Sequence, residues 1–156
     1  MRYCCQYESP IGTLYLGEEN GHLSLLVFAA DDPRLQGYAP QTTPLLEEAK
    51  KELAEYFAGR RRTFELPLQA RGTEFQKRVW TELQKINYGK TCSYKDIAER
   101  IDCPLGSRAV GLANNRNPIS ILIPCHRVLS KDGKLTGYAG GLDAKRYLLK
   151  LEQSHA

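Results

Sequence analysis

The hydrophobic period changes along this chain, and that change limits the fold more than any other feature. Residues 2–30 follow the two-residue period of strands. Alternation is visible in Thr13-Leu14-Tyr15-Leu16, and a second β-like run is Leu23-Ser24-Leu25-Leu26-Val27-Phe28. Between them lies Asn20-Gly21, a strong hairpin turn pair. From Thr43 onward the helical period takes over: Thr43 can cap a helix, Pro44 suits its first turn and Gly59 can end it. Its apolar stripe is Leu45, Leu46, Ala49, Leu53, Tyr56 and Phe57. Strands first and helices later predict an α+β fold.

Asp31 to Gln41 reads as a loop, Thr63 to Leu68 as extended, and Gln69-Ala70-Arg71-Gly72 as a linker. The domain boundary is expected there, giving domains 1–70 and 71–156. In the second half, Thr73 with Gln76 has the form of a capping box, with Phe75, Val79, Leu83 and Ile86 on one face. Ser93 with Asp96 opens a short helix to about Ile101. A turn through Pro104 and Gly106 follows, and Ser107 to about Asn115 forms another helix. Short helix, tight turn, short helix is the helix-turn-helix pattern. A Gly-rich stretch, Gly137 to Gly141, precedes a last helix from Asp143 to about Glu152.

At 156 residues, 42% apolar and 26% charged, the chain has the composition of a soluble globular protein. No apolar run reaches the length of a membrane span, and Met1 to Gln6 has no leader character. A cytoplasmic location is expected, or a nuclear one if the source has a nucleus. The 5 cysteines are odd in number and form no CxxC pair, which argues against a disulfide framework and a zinc ribbon. Cys4, Cys5 and His22 could donate to a metal, but adjacent cysteines on a strand face apart and a fourth ligand is not evident. No metal site is expected.

Charge is unevenly divided. Residues 1–70 hold 7 Lys and Arg against 10 Asp and Glu, a net −3; residues 71–156 hold 15 against 8, a net +7. The basic half points to a polyanion partner. It also contains Ile123-Pro124-Cys125-His126-Arg127-Val128, where a thiol, an imidazole and a guanidinium are adjacent. Cysteine attacks as its thiolate, which a neighbouring base or positive charge favours, so Cys125 is the candidate nucleophile. On an extended strand Cys125 and His126 would face apart, and contact would need a turn or a water. Glu152 and Asp143 are the acids that could orient the imidazole. Small residues, Ala109, Gly111 and Ala113, thin the helix from Ser107 to Arg116, and Arg108 lies at the end where a recognition helix meets bases. Lys90, Lys95, Arg100, Arg116 and Arg127 are candidates for phosphate contacts.

The segment from Asn117 to Val128 resembles the O6-alkylguanine-DNA alkyltransferases, whose signature Pro-Cys-His-Arg-Val it contains. Supporting matches are Gly72-Thr73-Glu74-Phe75-Gln76, Tyr88-Gly89-Lys90-Thr91, Ser93-Tyr94, Ser107-Arg108-Ala109-Val110-Gly111 and Gly137-Tyr138-Ala139-Gly140-Gly141-Leu142. The resemblance covers nearly the whole chain. It implies an N-terminal antiparallel sheet with a flanking helix, and a mostly helical, winged-helix-like C-terminal domain that binds double-stranded DNA through the minor groove. It implies irreversible transfer of an alkyl group from O6-alkylguanine, with O4-alkylthymine a further substrate, by a monomer without cofactor.

The resemblance also implies roles. Cys125 is the alkyl acceptor, His126 its base through water, Glu152 the polariser of His126, and Asn117 the brace before the active strand. Arg108 is the finger that fills the place of the flipped base, with Ser107, Ala109 and Asn114 on the same helix as binding residues. Tyr94 aids rotation and bonds guanine, Tyr138 packs on the base, Ala139 approaches the alkylated oxygen and Lys145 assists there. Arg127 and Val128 complete the binding set. Asn87 departs from the proline of many members. Two other readings remain beside this one: a cysteine hydrolase, and a lesion-binding relative without transfer, although such relatives replace the cysteine that is present here.

Overall fold

The computed structural model describes residues 1–156. The chain divides into two compact units, Met1–Ala70 and Arg71–Ala156. No helix is long and apolar enough to cross a membrane.

In the first unit, β1 (Arg2–Ser9), β2 (Gly12–Glu19) and β3 (His22–Val27) are joined by tight turns. Asn20 and Gly21 both adopt left-handed conformations, φ 51° and 80°, the paired geometry that twists a two-residue hairpin correctly. The helix α1 (Pro44–Phe57) begins as its residues dictate: the Thr43 hydroxyl accepts from Leu46 N, and Pro44 occupies the first turn. Leu46, Ala49, Leu53 and Tyr56 of α1, together with Leu14, Leu16, Leu23 and Leu26 of the sheet, are buried. Each such leucine contributes ~1.5–3 kcal/mol.

The three long strands form the expected antiparallel sheet. The loop from Asp31 to Gln41 needs one correction: it contains β4 (Ala39–Pro40), which pairs parallel to β1 and completes the order β3-β2-β1-β4. In the segment from Thr63 to Leu68, Leu68 bridges to Leu23, with Leu23 N donating to Pro67 O at 2.8 Å. Pro67 has no N–H with which to extend a ladder. The buried Glu52 of α1 instead organises this segment, accepting from Glu65 N at 2.9 Å. Cys4, Cys5 and His22 form no metal-binding cluster; no group of three or more such ligands occurs in the chain.

The second unit contains α2 (Glu74–Leu83), β5 (Cys92–Ser93), α3 (Tyr94–Arg100), α4 (Ser107–Asn115), β6 (Val128–Leu129) and α5 (Leu142–Ser154). Reciprocal capping boxes start α2 (Thr73 with Gln76) and α3 (Ser93 with Asp96). Trp80, buried on α2, donates to Ala113 O at 2.9 Å and fixes α2 against α4. The turn between α3 and α4 is tight: a Cβ at Gly106 would lie 2.5 Å from Cys103 Sγ, so only glycine fits.

The Cys125 run departs from expectation. It is not strand but a single 3₁₀ turn, Cys125–Arg127, and β6 begins only at Val128, pairing parallel with β5. The Ile-rich lead-in coils as well, with Ile121 at φ 75° and Ile123 N donating to Ile119 O at 3.0 Å.

Candidate active site

Asn117 forces that coil. Its Nδ2 donates to Ile123 O at 2.7 Å, and its Oδ1 accepts from Ile119 N at 3.0 Å. One buried amide thus clamps both ends of the loop that presents Cys125. A side-chain bond of this kind competes directly with regular backbone pairing, which explains why an isoleucine-rich segment is not extended.

On the 3₁₀ turn, Cys125, His126 and Arg127 are all buried. Glu152 of α5 gathers the two basic members. His126 Nε2 lies 2.7 Å from Glu152 Oε2, Arg127 Nε donates to Oε1 at 2.7 Å, and Arg127 Nη2 donates to Oε2 at 3.0 Å. Arg127 Nη1 also donates to Ile86 O at 2.6 Å. Burial works against the Glu152 charge, but the hydrogen bonds and charges of His126 and Arg127 outweigh it and hold the carboxyl well below the ordinary range. Burial pushes the His126 imidazole down, against the pull of Glu152, so the ring is neutral near pH 7. Nε2 faces a carboxylate and therefore carries the proton. Nδ1 is then a bare lone pair, buried and without a hydrogen-bond partner.

Cys125 is 3% exposed. Burial pushes its thiol up; bonds from Asn117 and Ser120 and the charge of Lys145 pull the other way without prevailing. The ready-made thiolate expected from adjacent positive charge is therefore corrected: in the free protein the sulfur is a thiol, because Arg127 is neutralised by Glu152 and desolvation dominates.

Around the sulfur stand groups from three further elements. Lys145 of α5 is buried, its ammonium pushed down to about 8 by burial, and its Nζ donates to Thr136 O at 2.7 Å. Tyr94, at the start of α3, has its hydroxyl 3.4 Å from the same carbonyl. Burial raises its pKa, and that of Tyr138 further; the field of a Cys125 thiolate adds to both. Lys145, Tyr94, Tyr138 and Cys125 thus converge electrostatically, and Thr136 ties the first two to the loop that carries Tyr138.

The exposed face of α4 lies at the other end of the candidate set. Arg108 and Ala109 are exposed and Ser107 is half-buried. Leu112, one turn from Arg108, is 62% exposed.

Several expected contacts are excluded by burial. Arg127 cannot reach a phosphate, since its guanidinium is enclosed by Glu152 and Ile86 O. Val128 is fully buried in β6 and presents no binding surface. Asn114 faces inward from α4, its Nδ2 3.4 Å from Cys125 O. Asp143 pairs with Arg146 at 2.8 Å and does not serve His126. Ser120 and Thr136 were missed by sequence reasoning. A lone serine in the run Ile119-Ser120-Ile121 was the available signal for the first; a backbone carbonyl leaves none for the second.

A helix-turn-helix beside a buried Cys-His-Glu constellation, in a chain whose first unit is built on a β-sheet, defines a class of two-unit proteins with a cysteine in the basic second unit. Residues 74–154 match the 6-O-methylguanine DNA methyltransferase DNA binding domain, and residues 2–70 the ribonuclease-like domain of the same proteins. The chain belongs to the 6-O-methylguanine DNA methyltransferase family. It is similar to the methylated-DNA–protein-cysteine methyltransferase of Methanosarcina acetivorans, 47% identical over 97% of this chain and 99% of the relative. The constitutive Bacillus subtilis protein of that name is 44% identical, over 98% and 96%. Among solved structures, Mycobacterium tuberculosis O6-methylguanine methyltransferase superposes with a TM-score of 0.93 at 44% identity, covering 100% of this chain and 95% of that one. The same mycobacterial protein in complex with DNA gives 0.91, at 44% identity and covering 99% and 94%.

Proposed function

We propose that this protein repairs DNA by moving the alkyl group of an everted O6-alkylguanine onto its own Cys125, restoring guanine and consuming itself. The observation that carries the reading is the Cys125 turn: a buried thiol beside an imidazole that burial keeps neutral, its Nε2 proton held by Glu152 and its other nitrogen, Nδ1, left bare. The relatives' shared name and the DNA complex of the mycobacterial protein support the substrate and the partner.

The chemistry follows from the atoms. The O6-alkyl carbon of a stacked base is closed to in-line attack, so the nucleotide must rotate out, at a cost of about a few kcal/mol. Arg108, exposed at the head of α4, offsets lost stacking by entering the vacated place. The Cys125 proton passes through water to His126 Nδ1. The sulfur electron pair forms the S–C bond as the C–O bond breaks, and its electrons pass to the purine. Tyr94 and Lys145, released from Thr136 O, meet the charge that develops there, and the base takes up one proton to become guanine. The imidazolium that forms for this moment is stabilised by Glu152. Asn117 holds the loop during attack. Tyr138 packs on the base and the Ala139 amide faces the oxygen.

We assign alkyl transfer and DNA binding to residues 71–156 and a supporting role to residues 1–70, and take the protein to act as a cytoplasmic monomer. The thioether product offers no leaving group, so each molecule reacts once. The test is to mix the protein with an oligonucleotide containing O6-methylguanine and map methylation by mass spectrometry. One methyl on the Cys125 peptide, at a yield of one per protein, is expected. Cys125→Ser should bind the DNA and take up no methyl; continued transfer by that variant, or turnover beyond one equivalent, refutes the assignment.

A further inference from the structure

Two basic side chains share the Glu152 carboxylate, and the proposed reaction uses only His126. Its Nε2 lies 2.7 Å from Oε2, while Arg127 spans both oxygens, Nε to Oε1 at 2.7 Å and Nη2 to Oε2 at 3.0 Å. The guanidinium is buried and held from a third side. Nη1 donates to Ile86 O at 2.6 Å, and Cζ lies 5.8 Å from the centre of the Tyr88 ring. Ile86 and Tyr88 belong to the connection between α2 and β5, so three stretches of the second unit converge on one cation. Burying a guanidinium is costly even when it is paired, and from this enclosure it cannot reach a phosphate.

The geometry shows what the charge can do. A carboxylate alone with an imidazole, out of water, favours the imidazolium. Nδ1 would then already carry a proton and could take none from Cys125. A carboxylate bonded on both oxygens by a guanidinium still accepts from Nε2–H, but its net charge is cancelled. It orients the ring without charging it. Burial is the first cause that keeps the ring neutral and Glu152 opposes it; the charges of Arg127 and Lys145 offset Glu152. The groups around the ring are few. Glu152 and Lys145 come from α5, and Cys125 and Arg127 from the ring's own turn. Tyr138, from the loop before α5, is close enough to sense Glu152. The helix α2 packs against the turn and buries only Val79, Trp80 and Leu83. Glu152 is the one anion among these groups at rest, and Arg127 is the cation bonded to it. We propose that Arg127 is a positioning residue for the transfer: it matches the charge of Glu152, so that the carboxylate orients His126 through Nε2 while Nδ1 stays unprotonated and able to take the Cys125 proton. This rests on the proposed function and goes beyond it, giving Arg127 a part played through Glu152.

The test titrates the 3 histidines by NMR of isotope-labelled rings, with single-turnover methyl transfer measured on the same samples. In the wild type, His126 is expected as the Nε2–H tautomer with a midpoint below the ordinary 6.5. Arg127→Gln keeps a donor and drops the charge, and should raise that midpoint above 6.5. A midpoint of about 7.5 leaves about a tenth of the rings neutral at about pH 6.5, so transfer there should fall roughly 10-fold and recover by about pH 8. Loosened packing alone would release the ring to water and bring its midpoint to 6.5 and no higher, which separates a lost charge balance from a lost structure. Arg127→Lys, with a cation still beside Glu152, should return the midpoint and the acid limb toward wild type. If glutamine prevents folding, Arg127→Met, also uncharged, takes its place. An uncharged variant whose His126 midpoint stays at or below 6.5 overturns the assignment, as does a lysine variant that matches it, or a wild-type midpoint at or above 6.5. The titration needs no transfer, so the two readings fail separately: a wild type that titrates as expected but takes no methyl overturns the proposed function and leaves the charge balance standing.

Discussion

Replacing Glu152 by glutamine tests the reasoning at its most connected point. The carboxylate accepts from His126 Nε2, Arg127 Nε and Arg127 Nη2 at 2.7, 2.7 and 3.0 Å, all in the interior. A glutamine oxygen in the place of Oε2 can retain the bonds from His126 Nε2 and Arg127 Nη2, but its NH₂ then confronts Arg127 Nε. Removing the charge leaves the buried guanidinium without its partner, which costs ~3–5 kcal/mol. The assay is urea unfolding followed by fluorescence of Trp80, the only tryptophan, which lies in the unit that contains the network. With m of roughly 1.5 kcal/mol/M, the midpoint should fall by about 2–3 M. The sign of the pH dependence is also determined. The folded carboxyl titrates below its ordinary value of 4.5, so its contribution is complete above that pH and is lost as pH falls further toward the folded value. The gap between wild type and Glu152→Gln should be constant from pH 7 to about 5 and narrow only below that range. A midpoint within about 0.5 M of wild type at pH 7 would refute the reasoning, as would a gap already closing between pH 7 and 6.

Arg108→Ala should reduce base extrusion more than nonspecific DNA affinity; a fluorescent base beside the lesion reports this, and an unchanged signal removes the finger role. Lys145→Met should slow transfer by about 10-fold, or ~1.4 kcal/mol of barrier, at pH 7. Because the Lys145 ammonium is pushed down to about 8, wild-type transfer should decline above that pH and the variant should lack the decline; matching alkaline limbs would exclude Lys145. DNA affinity should fall linearly with salt on a log–log plot, given the net +7 of residues 71–156; a flat response would remove the electrostatic component.

Local chemistry made much of this fold legible. Asn20-Gly21 announced its hairpin because few other pairs tolerate two left-handed residues in succession. Both capping boxes and the full extent of α4 were readable, since a cap is a short-range bond between residues three apart. What escaped was decided at long range. The two residues of β4 are a strand only because β1 supplies the partner. Ile119 to Ile123 has the composition of a strand, but the Asn117 amide bonds at both ends of the loop and prevents it. Arg127 reads as a surface charge by type; Glu152, 25 residues further on, draws it inside. The same pairing accounts for the misjudged thiol, because a guanidinium already matched by a carboxylate has little field left for a neighbour.

That last point changes how the reactivity of Cys125 is understood. A permanently ionised, accessible cysteine would be open to oxidation and to any electrophile it met. Here the thiol is buried and protonated, and its prospective base, Nδ1 of the next residue His126, is buried without a hydrogen-bond partner. Within the proposed function, ionisation is deferred until a base occupies the pocket and an alkyl carbon is in place to receive the sulfur electrons. Lys145 and Tyr94 fit the same logic. Both are occupied with Thr136 O in the free protein, and in the proposed reaction both become donors to the purine once that carbonyl gives way. A protein that can react only once gains from this arrangement, because a molecule alkylated by a stray electrophile could not be recovered. The burial that makes Cys125 a poor nucleophile at rest is thus the condition for its selectivity.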